Sequence, residues 1–287
     1  MLVEIAIGDA YGAGFEFSDR AKINAHNQGA HYIQHDLGIA AGWYTDDTQM
    51  SIALAELLLT DASVTKANAA DAFVLTFKRD PRQGYAKRFQ ALLESCDSGT
   101  ALLDTIHPSS TRNGAMMRAV PLGLIKDQTQ LLVAAEQQAS VTHQTPEGIV
   151  SAQLIALAAH ELLYNQIPLT ALPALLQDKT GFAIKTDWIG EVACDAVQTI
   201  HAVFTSLLRQ RTLSQLLIDC VNHGGDVDSV AAVAVGLASL CAEYINDLPI
   251  SLYDGLEQSK YGLAFLQSLD QQLAKHFSVD LGCNVCI

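Results

Sequence analysis

The stretch DSVAAVAVGLASLCAEYI, residues Asp228–Ile245, is nearly apolar on every side and rich in alanine and glycine. A helix at a protein surface carries polar residues along its exposed face, and this run has too few of them to form one. Helices of this kind usually lie at the centre of a fold, with other helices packed closely around them. Its most apolar part, about Val230–Ala242, is too short to cross a bilayer. The stretch therefore predicts the buried central helix of a soluble protein.

Two segments outside this run also carry apolar residues at the spacing of one helix face. The second of them is expected to begin with Thr145 as its N-cap and Pro146 at its first helical position. The two apolar stripes are Met50, Leu54, Leu57 and Leu58, and then Ile149, Ala152, Ala156, Ala159 and Leu163. Both patterns predict helices with one buried face.

Further helices are predicted along the chain, and no segment shows the sustained alternation of a β-strand. These helices are Ala67–Lys78, Gln128–Ala139, Val192–Leu208 and Leu213–Val221. The stretch Asp97–Asn113 is interpreted as a long loop, and loops of that length are often functional. No Pro-rich or Gly/Ser-rich linker divides the chain. We therefore predict a single all-α domain over residues 1–287.

The composition limits the partners of this chain. Its formal net charge is −14 over 287 residues, whereas a nucleic-acid-binding protein needs a basic face to neutralise phosphates. The six cysteines lack the even spacing of a disulfide framework, which favours a reduced, cytoplasmic protein. The C-x-x-C at Cys283 and Cys286 has no second pair to complete a zinc site, so we interpret these residues as ordinary thiols. We expect a monomer that binds neither nucleic acid nor a membrane.

Two acidic clusters with hydroxyl residues precede apolar helical segments. The first is Thr45–Asp47 in WYTDDTQM, and the second is Asp226–Ser229 in HGGDVDSVAAVA. Residues two apart on a regular helix point in different directions, so Asp226 and Asp228 converge only if the Gly224–Gly225 turn bends them together. One interpretation is that each aspartate simply caps a helix, because carboxylates are favoured in a first turn.

The similar design of the two clusters also favours a metal site. Carboxylate and hydroxyl oxygens are the ligands that Mg²⁺ and Mn²⁺ prefer. Four aspartates could neutralise two divalent ions, and two ions can clamp the oxygens of a substrate. The residues by themselves therefore predict a metal-dependent hydrolase. A two-metal phosphohydrolase on an unrelated helical fold is a more distant alternative.

Five sequence motifs follow one another between Ile7 and Gly236. They are IGDAYGAGFEF, GWYTDDTQM, RNGAMMRAVPLG, THQTPEGIVSAQ and NHGGDVDSVAAVAVG. In this order they resemble the motifs of the ADP-ribosylglycohydrolase family, and the match covers essentially the whole chain. The resemblance implies an all-α fold with two divalent cations, Mg²⁺ or Mn²⁺, in a cleft that takes ADP-ribose. Many members have Asp-x-Asp-Thr where this chain has Asp-Val-Asp-Ser, and serine keeps the hydroxyl ligand.

The resemblance also implies roles for individual residues. The expected metal ligands are Thr45, Asp46, Asp47, Asp226, Asp228 and Ser229. The expected catalytic residues are Glu16, Asp46 and Asp228, where Glu16 or a metal-bound aspartate manages the proton of the attacking water. The residues expected to bind substrate are Ser110, Asn113 and Gly114, in the loop that holds the diphosphate, and His143. Apart from the resemblance, we expect Arg118 to be a buried structural residue.

The activity implied by the resemblance is the removal of ADP-ribose from an ADP-ribosylated protein, by cleavage of the glycosidic bond at the distal ribose. Arginine nitrogen is the first choice for the linkage, by analogy alone. Serine-linked and small-molecule conjugates of ADP-ribose are the alternatives. A family member without catalysis, which binds ADP-ribose or serves as a crystallin-like protein, is a different class of function, and the intact acidic clusters argue against it.

Overall fold

Helices form the whole regular structure of the part of this chain that the computed structural model describes, which is residues 1–36, 38–60 and 62–281. Cys283 and Cys286, interpreted above as ordinary thiols, lie outside these residues. None of the described helices is both long enough and apolar enough to cross a bilayer. The α-helices are, in chain order, α1 Leu2–Ala13, α2 Arg20–His26, α3 Asp46–Leu58, α4 Lys66–Arg79, α5 Lys87–Ser95, α6 Gly99–Thr105, α7 Gln128–Ala139, α8 Pro146–His160, α9 Leu172–Thr180, α10 Ala196–Arg209, α11 Leu213–Asn222, α12 Val227–Ala238, α13 Ile250–Gly255 and α14 Leu263–Phe277.

Helix α12 is the buried central helix that the sequence predicts. All of its residues are buried, and α1, α10 and α11 pack around it. Helix α1 is also buried along its whole length, and its backbone runs directly against that of α12. A Cβ added at Gly12 would lie 2.4 Å from Asp228 Cα, so a larger residue than glycine would push the two helices apart. This packing brings the end of α1 beside the acidic start of α12.

The apolar run predicts a longer central helix than the structure contains. Helix α12 ends at Ala238, and the chain turns before Ile245. The backbone N–H of Ile245 donates to Arg211 O at 3.0 Å, and Leu213 N–H donates to Ile245 O at 3.0 Å. Hydrogen bonds to the start of α11 thus satisfy the backbone here, and a run of apolar residues does not predict such distant partners.

Most of the predicted helices are confirmed. Helix α8 begins as expected, because Thr145 Oγ1 accepts a hydrogen bond from Gly148 N–H at 3.1 Å and Pro146 occupies the first turn. Helix α3 begins at Asp46, directly after Thr45. Helices α4, α7 and α11 agree with their predicted bounds to within one residue at each end. The all-α fold class is therefore confirmed.

The predicted loop Asp97–Asn113 is wrong over its first half, where α6 lies. Ser98 Oγ caps this helix by accepting from Ala101 N–H at 3.2 Å. Gly99 N–H donates to Asp71 Oδ1 on α4 at 2.6 Å, and Leu102 is fully buried. A one-sided helix of two turns has little periodicity to reveal it in the sequence, and packing on α4 stabilises it.

The predicted start of α10 at Val192 is also wrong, because the helix begins at Ala196. Val192 N–H donates to Gly224 O at 2.9 Å, and Asp226 N–H donates to Val192 O at 2.8 Å. Val192 is therefore in extended pairing with the turn that leads into α12. This pairing attaches the segment before α10 to the acidic motif.

Candidate metal centre

Three carboxylates meet where the turn after α1 lies against the start of α12. Glu16, Asp226 and Asp228 each offer an oxygen atom, and these oxygens lie within 4.8 Å of one another. Asp226 and Asp228 are buried, and Glu16 is partly exposed. Phe17 N–H, next to Glu16, donates to Gly225 O at 2.8 Å. This bond holds the end of α1 against the turn before α12.

The turn before α12 explains how Asp226 and Asp228 converge. Gly224 and Gly225 both have positive φ, at 78° and 85°. This region is strained for other L-residues. Asp226 consequently lies outside the helix, as its N-cap residue, while Asp228 lies in the first turn. The geometry confirms that the pair converges through a bend in the chain and not along a regular helix.

The cluster Thr45–Asp47, at the mouth of α3, faces the cluster Asp226–Ser229. Burial raises the pKa of Asp46 well above its usual value, and the charges of Asp9, Glu16 and Asp226 raise it further. Burial likewise raises the pKa of Asp47, with further contributions from Asp9, Asp46 and Asp226. Asp47 Oδ1 is buried and has no hydrogen-bond partner among the described residues. The two clusters therefore form one concentration of negative charge.

Asp9, in the middle of α1, holds the start of α3 and was missed by the sequence analysis. Its carboxylate is fully buried and accepts four hydrogen bonds from two threonines. Thr45 donates from its backbone N–H at 2.9 Å and its hydroxyl at 2.8 Å, and Thr48 does so at 3.0 Å and 2.6 Å. The Thr45 hydroxyl therefore donates its only proton to Asp9, and lone pairs of its oxygen remain to bind a cation. An aspartate inside a helix of mostly apolar residues was the available signal.

Asp226 is held by two side chains from other parts of the chain. Asn113 Nδ2 donates to Asp226 Oδ2 and also to Thr199 Oγ1, the latter at 3.2 Å. The thiol of Cys194 donates to Asp226 Oδ1 at 3.3 Å, and burial followed by the charge of Asp226 raises the pKa of this thiol. The amide of Asn113, expected to bind substrate, is therefore occupied in orienting a candidate metal ligand. The sequence carried no signal for Cys194 or Thr199.

The other predicted substrate-binding residues lie together beside this centre. Thr145 Oγ1 donates to Ser110 O at 2.9 Å, and Gln144 N–H donates to the preceding Pro108 O at 2.7 Å. These bonds tie the loop before residue 113 to the start of α8. A Cβ at Gly114 would lie 2.9 Å from His143 Cε1 and 3.3 Å from His143 Nε2. The loop and the histidine are thus direct neighbours.

Glu16 has a histidine partner that sequence reasoning also missed. His35 Nε2 lies 2.8 Å from Glu16 Oε2, and the His35 side chain is almost completely buried. Glu16 and His35 lie 19 positions apart in the chain, and α2 lies between them. His35 lies in a segment without a helical or motif pattern, so no sequence signal identified it. The pair fixes the orientation of the Glu16 carboxylate.

The donor set fits a hard divalent cation. The converging groups are carboxylate and hydroxyl oxygens, with no sulfur atom or ring nitrogen among the predicted ligands. Buried carboxylates without cations are costly, which is why their pKa values are raised. Asp47 Oδ1 is buried without a hydrogen-bond partner among the described residues, so a bound cation would stabilise it. The residues present therefore suit a hard divalent cation.

Comparison with known proteins agrees with this geometry. The family model described as ADP-ribosylglycohydrolase matches residues 1–280. ADP-ribosyl-dinitrogen reductase glycohydrolase of Rhodospirillum rubrum is 28% identical over 257 residues, covering 85% of each chain. ADP-ribosylarginine hydrolase Tri1 of Serratia proteamaculans is 23% identical over 281 residues, covering 90% of this chain and 75% of that protein.

A solved structure described as an ADP-ribosylglycohydrolase-related protein complex has the same fold. Its TM-score is 0.73 at 23% identity, and the superposition covers 96% of this chain and 95% of that one. The family model spans nearly the whole sequence. The chain belongs to the ADP-ribosylglycohydrolase family and is an enzyme of the glycosidase class.

Proposed function

We propose that this enzyme removes ADP-ribose from ADP-ribosylated arginine side chains of a protein, by hydrolysing the bond between the distal ribose and the guanidinium nitrogen. The observation that carries the proposal is the convergence of Glu16, Asp226 and Asp228 within 4.8 Å, beside the mouth of α3. A glycosidic bond breaks through an oxocarbenium-like transition state, which needs negative charge nearby and an oriented water. A concentration of carboxylates supplies both requirements.

Two divalent cations, Mg²⁺ or Mn²⁺, complete the proposed centre. This family is metal-dependent, and the acidic cluster is the candidate site for the metal in this chain. The ligands would be the residues expected from the sequence: Thr45, Asp46, Asp47, Asp226, Asp228 and Ser229. When bound, such cations would supply the positive charge that orients the ribose hydroxyls and makes water more acidic.

Glu16 is proposed to take the proton of the attacking water. Its Oε2 is bonded to His35, so Oε1 is the oxygen left for this task. In the reaction the C1′–N bond breaks, the water oxygen bonds to C1′, and a water proton passes to the carboxylate. The arginine nitrogen takes the electron pair of the broken bond, so the side chain leaves as a neutral guanidine and is then protonated as Glu16 gives up the proton that it accepted. Asp46 and Asp228 remain the alternative proton acceptors.

The loop beside His143 is proposed to bind the ADP-ribose diphosphate. Ser110 and Gly114 are partly exposed and lie next to His143, so hydroxyl, backbone N–H and ring N–H donors are grouped here. Such donors suit phosphate oxygens. Asn113 would contribute its backbone only, because its amide is bonded to Asp226.

The arginine linkage is supported by the name of one relative. Tri1 of Serratia proteamaculans is an ADP-ribosylarginine hydrolase and matches 90% of this chain. A zebrafish relative named ADP-ribosylhydrolase ARH3 is 28% identical over 62% of the chain, and its name specifies no linkage. Serine-linked and small-molecule conjugates are therefore the second candidates.

One experiment tests the activity and the linkage together. The protein is incubated with Mg²⁺ or Mn²⁺ and with arginine- or serine-ADP-ribosylated peptides, and free ADP-ribose is measured. Release from the arginine peptide supports the proposal, and release from the serine peptide alone assigns the other linkage. Release from neither, with ADP-ribose still bound in calorimetry, would indicate a binding protein without catalysis.

Variants test the proposed centre. Asp46→Asn and Asp228→Asn should abolish turnover while circular dichroism shows the helical fold intact. Asp71→Asn is the matched control. Asp71 lies outside the five motifs and the acidic cluster, and it accepts a hydrogen bond from Gly99 N–H. Full activity in either Asp46→Asn or Asp228→Asn would contradict the scheme.

A further inference from the structure

Arg118 is a fully buried cation whose hydrogen-bond partners are all neutral. Its Nε and Nη2 donate to Gln138 Oε1 at 2.5 Å and Gln138 O at 2.9 Å, and its guanidinium lies 4.4 Å from the centre of the Phe73 ring. Nη2 also donates to Thr142 Oγ1 at 2.9 Å. Burial lowers the pKa of Arg118 to about 9, which still leaves it charged at neutral pH. The expected structural role is thus accompanied by a specific contact toward His143.

Thr142 connects this cation to His143. Its hydroxyl oxygen accepts from Arg118, which can only donate. The same oxygen lies 2.6 Å from His143 Nδ1. The Thr142 hydroxyl has a single proton, and Arg118 and His143 are its two hydrogen-bond partners among the described residues. If Nδ1 were also a donor, the buried Thr142 proton would have no acceptor, at a cost of about 1–3 kcal/mol.

The direction of donation therefore runs from Arg118 to Thr142 and from Thr142 to His143 Nδ1. We propose that Arg118 and Thr142 are positioning residues, which hold His143 as the neutral tautomer with its proton on Nε2. In this tautomer the protonated nitrogen, Nε2, faces Gly114, which lies in the same loop as Ser110. His143 then presents a fixed donor, and never a competing acceptor, to whatever this loop binds.

The surrounding charges favour the neutral ring. Burial lowers the pKa of His143 to about 3, and the positive charges of Arg118 and Arg112 contribute to the decrease. An imidazolium would also need an acceptor at Nδ1, where Thr142 presents its proton. The geometry and the charges thus exclude the doubly protonated ring and the Nδ1–H tautomer for different reasons.

The use of this donor rests on the proposed function. A phosphate of ADP-ribose carries only acceptor oxygens at neutral pH, so the Nε2–H tautomer can bond to it and the opposite tautomer would repel it. The tautomer itself follows from the hydrogen bonds alone. The two statements can therefore be tested separately.

Nitrogen-15 spectroscopy of the histidine rings tests the tautomer directly. The chain has 9 histidines, and the His143 signals are identified as those missing in His143→Gln. In the metal-free wild-type protein at neutral pH we expect an unprotonated Nδ1 and a protonated Nε2. A protonated Nδ1 would overturn the proposal, and this wild-type measurement depends on no variant and no turnover.

Variants of Thr142 test the relay. Thr142→Val removes the hydroxyl at nearly constant volume and should shift His143 toward a mixture of tautomers. Thr142→Ser keeps the hydroxyl and should preserve the wild-type pattern. An unchanged His143 tautomer in a folded Thr142→Val protein would show that Thr142 does not position the ring. Thr205→Val, which removes another buried threonine hydroxyl, controls for loss of a hydroxyl elsewhere.

Calorimetry with ADP-ribose then separates the relay from the proposed function. We expect Thr142→Val to raise the Kd for ADP-ribose about fivefold, as for loss of one hydrogen bond, and Thr142→Ser to leave it unchanged. If the tautomer responds to Thr142 but the wild-type protein does not bind ADP-ribose, the positioning inference stands and the proposed function fails. If ADP-ribose binds while the wild-type ring carries its proton on Nδ1, the positioning inference fails and the proposed binding of ADP-ribose stands.

Discussion

Asp9 accepts both the backbone N–H of Thr48, at 3.0 Å, and its hydroxyl, at 2.6 Å, on a single carboxylate oxygen, Oδ2. The two residues lie on different helices, α1 and α3, and both are completely buried. Through this contact the most buried helix pair of the fold, α1 and α12, is linked to the start of α3. The relationship explains how two acidic motifs that are far apart in the chain come to face each other.

Asp9→Asn should weaken metal binding, although Asp9 is not one of the expected metal ligands. An amide offers one acceptor oxygen in place of two, and its NH₂ group would face donors from Thr45 and Thr48. Loss of a residue that orients metal ligands typically lowers metal affinity about 10–100-fold. Calorimetric titration of the metal-free protein with Mn²⁺, after removal of bound metal with a chelator, measures this change in affinity. Asp71→Asn serves as the control, and equal affinities in wild type and Asp9→Asn would contradict the role of Asp9.

Asp47→Asn should have opposite effects on the metal-free and the metal-bound protein. Asp47 carries a buried, unpartnered Oδ1 and a pKa raised by burial and by Asp9. Removal of its charge should stabilise the metal-free protein, because a buried carboxylate beside Asp9 and Asp46 is destabilising. The variant should also lose the increase in Tm that Mg²⁺ or Mn²⁺ gives the wild type.

Chemical denaturation in chelator and in excess cation measures both effects of Asp47→Asn. Asp127→Asn is a matched control, because Asp127 caps α7 and asparagine is an equally good N-cap. A metal-free Asp47→Asn protein that is less stable than wild type would show that repulsion is not what raises these pKa values.

The contribution of the acidic cluster to the stability of the metal-free protein should fall as the pH rises from about 4 to 7. Burial, and then the charge of Glu16, raises the pKa of Asp226 from 3.8 to about 6. The folded state therefore binds this proton more tightly than the unfolded state does. Its stabilising contribution is complete below about pH 3.8 and is lost as the pH passes through about 6. Asp46, Asp47 and Asp228 shift in the same direction.

Thermal unfolding in chelator across this pH range tests the dependence. Saturating cation should reverse the trend near neutral pH, because ionised carboxylates bind the metal. A metal-free wild type that loses no stability relative to Asp226→Asn between pH 4 and pH 7 would contradict the prediction.

Gly225→Ala should destabilise the protein and disrupt the acidic cluster together. A Cβ at this position would lie 2.0 Å from Val192 O, and φ is 85°. Gly181 has a φ of 74° with open space around the Cβ position, so Gly181→Ala measures the cost of the backbone conformation alone, about 1–2 kcal/mol. We expect Gly225→Ala to cost more than this and to lower the affinity for Mn²⁺. Similar unfolding free energies for the two variants would show that the contact with Val192 is not restrictive.

Local sequence determined the elements of this protein and the positions of its chemistry. The apolar run after Asp228 predicted a buried central helix, and the N-cap at Thr145 predicted where another helix begins. Helical periodicity and capping act over a few residues, so they can be recognised without the fold. For the same reason, the candidate metal ligands could be selected from motifs that stand directly before helices.

Only the tertiary structure decided which side chains orient those groups. Asp9, His35 and Cys194 contact the candidate site, and local sequence predicted none of these contacts. The amide of Asn113 faces Asp226 across 113 residues of chain. Helix α6 and the late start of α10 likewise depend on hydrogen bonds to distant segments. Such contacts depend on how whole helices pack. The packing of α1 against α12, allowed by the missing side chain at Gly12, is what brings the carboxylates together.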